Sequence, residues 1–496
     1  MLGLFSSKPV HPLADAREAK KIFAAIADDE PLIGVENADT WLESLIVDES
    51  FKLPQRLEII LALDEAAVAQ AQRLARDYPA LTGARSSQEP RQWQLAYDYW
   101  LHLDAAYLDC LARLSVAGKE GDAVRPRLPL IYCRVMMALA ARLKWKQFRY
   151  GPVEAEFWKT AGGIYLAAVD LKAAQKPVRA YAHRAESTIE QEYLKVLVFH
   201  ATSMDKLQPL EIELADHLID YFLPAFSLIR EVRPDNVYWV DAAKPLPPTR
   251  LAKLPEVTPT LRFFNGTRAM EAAGSTIEQL RRDGRVPPGI NLGAHYAVDV
   301  VIPVLEHLAR CWAPKPPMRS NVRYRSASSI GVVNGLAAVH QRLSGLTAAL
   351  EETETWIVDD VSLGGLGAQV ANSGRDWIRV GVLVGLQPEG GENWLLGVVR
   401  RYVRTDAHKA SVGIETLSKT PRAITADAGG LTTEALLLDI PEVGEYARMV
   451  LPPNALEEKM ALVFVLDEKT ARLYPQDVIT TDPDFIIANF FVQSFS

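Results

Sequence analysis

Cysteine is scarce in this chain. There are three in 496 residues, Cys110, Cys133 and Cys311, and no two form a CxxC pair. That argues against a zinc site built on cysteine and fits a reducing compartment. Long apolar runs are missing as well. No stretch approaches the ~18 apolar residues of a membrane span. The opening MLGLFSSKPVHPLADAREAKK carries too short an apolar patch for a signal peptide. The reading is a cytoplasmic chain without membrane insertion. Positive charge is not in excess either. The net charge is −8, so the chain as a whole is not a binder of nucleic acid polymer. A site for a phosphorylated ligand has to be a local basic cluster. Neither a P-loop nor a GxGxxG is present, and no paired carboxylates fall in a catalytic frame. No catalytic residue, metal or cofactor is assigned, and the chain is read as a non-enzyme.

What is present changes texture twice. Residues 14 to about 232 read as successive helices. In LPQRLEIILALDEAAVAQAQRLARDY, Leu57, Ile60, Leu61, Val68, Ala71 and Leu74 share one helical face. Further on, Ile189, Tyr193, Val196, Leu197 and His200 repeat the pattern, with Ser187-Thr188-Ile189-Glu190 as a capping box before them. Other helical stretches run about 90–116, 127–147, 154–175 and 208–230. Residues 233–312 are a mixed proline-rich and helical continuation. APKPPM, 313–318, is a stiff connector and the main boundary. After it, short β-branched runs alternate with glycine turns: SSIGVVNGLAAV, TWIVDDVS, WIRVGVLVGLQ, NWLLGVVRRYV and SVGIETLS. This spacing suggests a small antiparallel barrel or sandwich over 319–420, with Glu389-Gly390-Gly391 as a hairpin turn. Residues 421–496 read as a second β-rich unit.

Two features of the β region carry chemistry. MRSNVRYR supplies Arg319, Arg323 and Arg325 just after the connector. Guanidinium groups suit bidentate contact with phosphate and stacking on a base. VDDVSLGGLGAQV sets Asp360 and Ser362 two residues apart at a strand end, followed by Gly364, Gly365 and Gly367. Asp accepts from a purine's N–H edge, Ser donates or accepts, and glycine lets a ligand approach the backbone. Together they describe a nucleotide site. Arg400, Arg401 and Arg404 either extend its basic rim or form a solvated strand face.

R-x-x-x-R (Arg319, Arg323) followed by D-x-S-x-x-G (Asp360, Ser362, Gly365) resembles the PilZ domain, a bacterial receptor module for cyclic di-GMP. VGVLVGLQ, LLGVVRRYVR and VGIETLS resemble its later strands. The resemblance covers roughly 319–420. It implies a six-stranded β-barrel, with Arg319 and Arg323 clamping phosphates, Asp360 and Ser362 reading a guanine, and Gly365 shaping the turn. Arg325, Gly364, Arg400 and Arg401 are further candidates for the ligand. Arg323 and Asp360 lie 37 positions apart, more than the family usually shows. HQRLSGLTAALEETE then reads as an enlarged loop or helical insert between the first two strands. The helical region resembles no family we would name.

The expected fold is an α+β multidomain chain: an all-α N-terminal region (1–232), its continuation (233–312), a PilZ-like six-stranded antiparallel β-barrel, and a small β-rich C-terminal unit. The expected function is a cyclic di-GMP effector. Ligand phosphates would draw a mobile arm, 313–325, onto the barrel, and the helical region would pass the signal to a protein partner. The alternative is a structural adaptor whose degenerate barrel binds no nucleotide. Three further readings are structural. His200 is a core histidine, His307 and Cys311 are helix neighbours rather than a metal site, and Glu434-Ala435-Leu436 belongs to a strand rather than to a phosphodiesterase signature.

Overall fold

A computed structural model describes residues 11–83, 86–292, 295–315, 321–345, 353–371, 377–406, 408–428, 430–456 and 460–496. Helix α1 (Ala16–Asp28) starts where the Asp15 carboxylate accepts from the amides of Arg17 and Glu18, satisfying two of the four donors a helix start leaves open. Then follow α2 (Pro31–Val47), α3 (Leu53–Gly83), α4 (Glu89–Leu114), α5 (Leu128–Phe148), α6 (Ala155–Asp170), α7 (Ile189–Ala201) and α8 (Pro209–Phe222). The apolar face read on α3 is the buried one, from Leu57 through Leu74. On α7, Ile189, Tyr193, Val196 and Leu197 are buried, and His200 packs edge-on against Trp158. The cap of α7 lies one residue later than the sequence suggested: Thr188 Oγ1 accepts from the Gln191 amide.

The helix expected over 208–230 stops at Phe222, because Pro224 follows and cannot continue an α-helical ladder. Strands β1 (Ser227–Ile229), β2 (Tyr238–Asp241), β3 (Thr249–Arg250) and β4 (Leu261–Asn265) then form a small antiparallel sheet in the order β1-β4-β2-β3. Sequence periodicity did not show this sheet. Its strands are two to five residues long, and every residue of β4 is buried, so no alternation exists to read. Helices α9 (Thr267–Asp283) and α10 (Val298–Trp312) follow.

These elements form one compact unit. The described chain from Asn321 onward forms a second, joined by two short segments, 150–152 and 205–208. In the second unit, β5 (Tyr324–Arg325) and β6 (Ser329–Asn334) lead into α11 (Gly335–Leu343). Then come β7 (Glu354–Ser362), β8 (Gly365–Ala371), β9 (Leu383–Pro388), β10 (Leu395–Arg404) and β11 (Lys409–Ser418). The strand order is β5-β7-β6-β9-β10-β11-β8, and β8 returns to pair with β7. Strands β6 to β11 therefore close a six-stranded antiparallel barrel. The turn at Glu389–Gly391 joins β9 to β10, with Gly390 at φ +71° and the Gly391 amide donating to the Pro388 carbonyl at 2.9 Å.

Strands β12 (Arg422–Ala428), β13 (Leu431–Leu437), β14 (Tyr446–Leu451), β15 (Leu462–Leu466), β16 (Lys469–Thr481) and β17 (Ile486–Phe495) close a second barrel in the order β12-β13-β14-β17-β16-β15. Pro475, which cannot donate to a ladder, sits at a register shift of β16. Glu434, Ala435 and Leu436 lie in β13, as expected. Helix α11 is the described part of the insert between β6 and β7. Its Ala338 and Val339 pack with Leu396 and Val398 of the first barrel and Leu436 and Leu438 of the second, and His340 Nε2 donates to the Ile424 carbonyl at 3.1 Å. Helix α11 thus touches both barrels.

Candidate functional site

Strands β5 and β6 pair with successive parts of one edge of β7. Ser329 lies opposite Ile357, the Val358 amide donates to the Ser328 carbonyl, and the Ser326 amide donates to the Asp359 carbonyl, both at 2.9 Å. Arg325 then lies opposite Asp360 and Tyr324 opposite Val361. Residues 324–326, at the end of the arm, are thus a broken continuation of the first barrel strand. They bring Arg323 over the outer face of β7, where its Nη1 donates to Asp360 Oδ1 at 2.5 Å.

Alternation alone would point Asp360 the wrong way. Trp356 and Val358 are buried in the barrel, and residues two apart share a face. A bulge resolves this. Val358 pairs with Ala368 but Asp360 pairs with Gly367, leaving Asp359 as the extra residue. The insertion turns Asp360 and Ser362 to the outer face. A second bulge lies across the cleft: Val399 pairs with Ile414 and Arg401 with Gly413, so Arg400 is extra there. Successive arginines then meet the same cleft. Arg400 Nε donates to Glu415 Oε2 at 2.7 Å, and Arg401 Nε to Asp205 Oδ2 at 2.5 Å.

Glycine is required at one point by close approach. A Cβ on Gly365 would lie 2.0 Å from the Ile414 carbonyl oxygen, in the rigid β8–β11 ladder. At Gly364 the nearest atom would be the Asn321 side-chain nitrogen, at 3.1 Å. Gly365→Ala is therefore expected to destabilise the protein by about 1–3 kcal/mol, the cost of overpacking. Gly364→Ala should stay within about 0.5 kcal/mol, as an ordinary surface change does. Denaturant melts of the two variants check the contrast.

These residues line one cleft of about 460 Å³. Of the candidates read from the sequence, Arg323, Asp360, Ser362, Gly364, Gly365, Arg400 and Arg401 all border it. Ser362 donates its hydroxyl to the Gly365 carbonyl at 3.1 Å, closing its own hairpin. Arg325 is exposed on β5 and is not among the lining residues. Arg319 lies outside the described residues. Asn321, Asp359 and Lys206 also line the cleft and were not read from the sequence. Asp359 had a signal, the doubled aspartate at a strand end. Lys206 had none, being 117 positions before Arg323, between two stretches read as helix.

The helical unit has polar centres of its own. Arg134 is buried on α5 and donates to Asp64 at 2.7 Å, to Glu65 at 2.6 Å and to the Ala180 carbonyl at 2.7 Å. Asp64 also accepts from Tyr107 and Tyr181. A separate cavity of about 220 Å³ has one apolar wall and one wall of ion pairs linking Lys144 and Lys195 to Glu213, Asp216 and Asp220. His307 Nε2 donates to the Thr202 carbonyl at 2.7 Å and lies 3.8 Å from Cys311 Sγ.

Asp39, Glu43 and His102 bring one ligand atom each within 4.8 Å of one another, but His102 Nδ1 is already bonded to Asp39 at 2.7 Å. That hydrogen bond, opposed by burial and helped by the nearby carboxylate charges, raises the His102 pKa. A raised folded-state value stabilises fully below the unfolded value of about 6.5, and the contribution is lost as pH rises through the folded value. His102→Gln is expected to cost stability at pH 5.5 and much less at pH 9, measured by urea melts at both.

The fold and cleft define a class: an α-helical region carried with a β-barrel whose outer face presents paired arginines and carboxylates around a ligand-sized cleft. The comparisons bear on the other end of the chain. Residues 17–233 match the model of a protein family described as the N-terminal domain of the cyclic-di-GMP receptor FimW. The match covers the helical region, for which the sequence suggested no family, and does not extend to the barrels. No curated protein matches the chain.

Proposed function

We propose that this chain is a cyclic di-GMP effector that binds the nucleotide in the cleft of its first barrel and signals through protein contacts of its helical region. The observation that carries the reading is the Arg323–Asp360 pair beside Ser362 and Gly365. The arm arginine reaches the strand-end aspartate, and helix α11, the described part of the insert, packs between the barrels. Binding is an exchange of partners. A ligand phosphate takes the Arg323 guanidinium, and the freed Asp360 carboxylate accepts from the N–H edge of a guanine. The likeness of residues 17–233 to a domain of a cyclic-di-GMP receptor supports the same class of protein from independent residues.

A melting experiment tests this. A ligand that binds only the folded state stabilises it by about 2.7 kcal/mol at a hundred times its Kd. Cyclic di-GMP should raise the melting temperature, and GTP at equal concentration should not. The adaptor reading is favoured by one observation: Arg323, Arg400 and Arg401 each already have a carboxylate partner. It requires that neither nucleotide shift the melt.

A further inference from the structure

One wall of the cleft does not come from the barrel strands. Residues 205–208, the connection between α7 and α8, pack within the second unit. Three bonds hold them there. Asp205 accepts from Arg401 Nε at 2.5 Å, the Leu207 carbonyl accepts from the Tyr150 hydroxyl at 3.0 Å, and Gln208 Nε2 donates to Asp482 at 3.1 Å. Tyr150 is itself tied to β10: its carbonyl accepts from the Arg404 amide at 2.9 Å, and its ring meets Tyr402 edge-on. Lys206, between these anchors, is exposed and lines the cleft. Among the described residues it is the one lining cation without a carboxylate partner.

We propose that Lys206 and Arg401 form a second phosphate subsite of this cleft, and that a phosphate bound there displaces Asp205 from Arg401. The inference rests on the nucleotide reading above, and gives that site a readout. Arg401 holds Asp205 through Nε, and half-exposed pairs of this kind are weak. A phosphodiester brings two anionic oxygens that one guanidinium and one ammonium can share, a stronger arrangement than the pair it replaces. A ligand with two separate phosphodiesters would place one near Arg323 and the other at Lys206 and Arg401. Loss of Asp205 from Arg401 loosens the α7–α8 connection, so occupancy is reported in a segment continuous with two helices of the helical unit.

The test is a calorimetric titration of the full chain with cyclic di-GMP, for wild type, Lys206→Ala, Asp205→Asn and Arg323→Ala. Amide exchange over 205–208 is followed in parallel. All the replaced side chains are at least partly exposed, so the variants should fold. Lys206→Ala should weaken binding about tenfold, the scale of one charge-assisted contact. Asp205→Asn should tighten it about two- to fivefold by removing a weak competitor. Exchange over 205–208 should rise with ligand. If Lys206→Ala and Asp205→Asn bind as wild type while Arg323→Ala is weakened, the subsite is refuted and the nucleotide reading stands. If wild type does not bind, both fall.

Discussion

Arg323→Ala is expected to weaken cyclic di-GMP binding by about 10–100-fold, because a hydrogen bond to a charged group is worth about 1.5–3 kcal/mol. The structure adds a sign. The same change leaves Asp360 without the partner it holds at 2.5 Å, so a carboxylate stands uncompensated beside an incoming dianion. Asp360→Asn works the other way at the phosphate, since it frees Arg323, but at the guanine edge it replaces a charged group that accepts at both oxygens by an amide that accepts at one and donates at the other. Its loss should therefore fall on the discrimination between guanine and adenine dinucleotides. Titrations of both variants with both dinucleotides measure this. Wild-type affinity in Arg323→Ala would contradict the assignment.

The second large effect is on stability. Asp64→Ala is expected to destabilise the helical unit by about 3–5 kcal/mol, the usual result of removing one partner from a buried ion pair. Asp64 is fully buried and accepts from Arg134, Tyr107 and Tyr181, so its loss removes one partner of the guanidinium and leaves two tyrosine hydroxyls without this acceptor. Arg134 keeps Glu65 and the Ala180 carbonyl, which sets the upper end of that range. Tyr107→Phe, which removes one hydroxyl donor, should cost about 1 kcal/mol. Guanidinium melts followed by helical circular dichroism separate the two. A loss below about 1 kcal/mol in Asp64→Ala would mean that the network relaxes around the missing group.

Periodicity carried the fold a long way. The stripe from Leu57 to Leu74 and the change to β-branched runs after the proline connector are consequences of which face must be buried, and both are local. The candidate cleft was legible in part because its residues are also local: an arginine arm, and an acceptor-rich strand end with a glycine where backbone must pass under the Ile414 carbonyl. What could not be read is non-local. The bulge at Asp359 exists only against β8, and the one at Arg400 only against β11. Alternation within β7 alone predicts the opposite face for Asp360. Lys206 is held at the cleft by its neighbours Asp205, Leu207 and Gln208, which bond to Arg401, Tyr150 and Asp482, none of them near it in sequence. Asp64 and Arg134 were not singled out in the sequence either, because the groups that meet Asp64, Tyr107, Arg134 and Tyr181, lie 43 to 117 positions away in the chain.

The central claim, a nucleotide receptor built on the first barrel, is tested most directly by calorimetric titration of the full chain with cyclic di-GMP, with GTP as control. The account predicts saturable binding at micromolar concentration or tighter, weakened by Arg323→Ala and absent for GTP. No heat with cyclic di-GMP at any temperature, together with an unchanged melting temperature, would contradict it and leave the paired arginines and carboxylates of the cleft as a structural feature of the barrel.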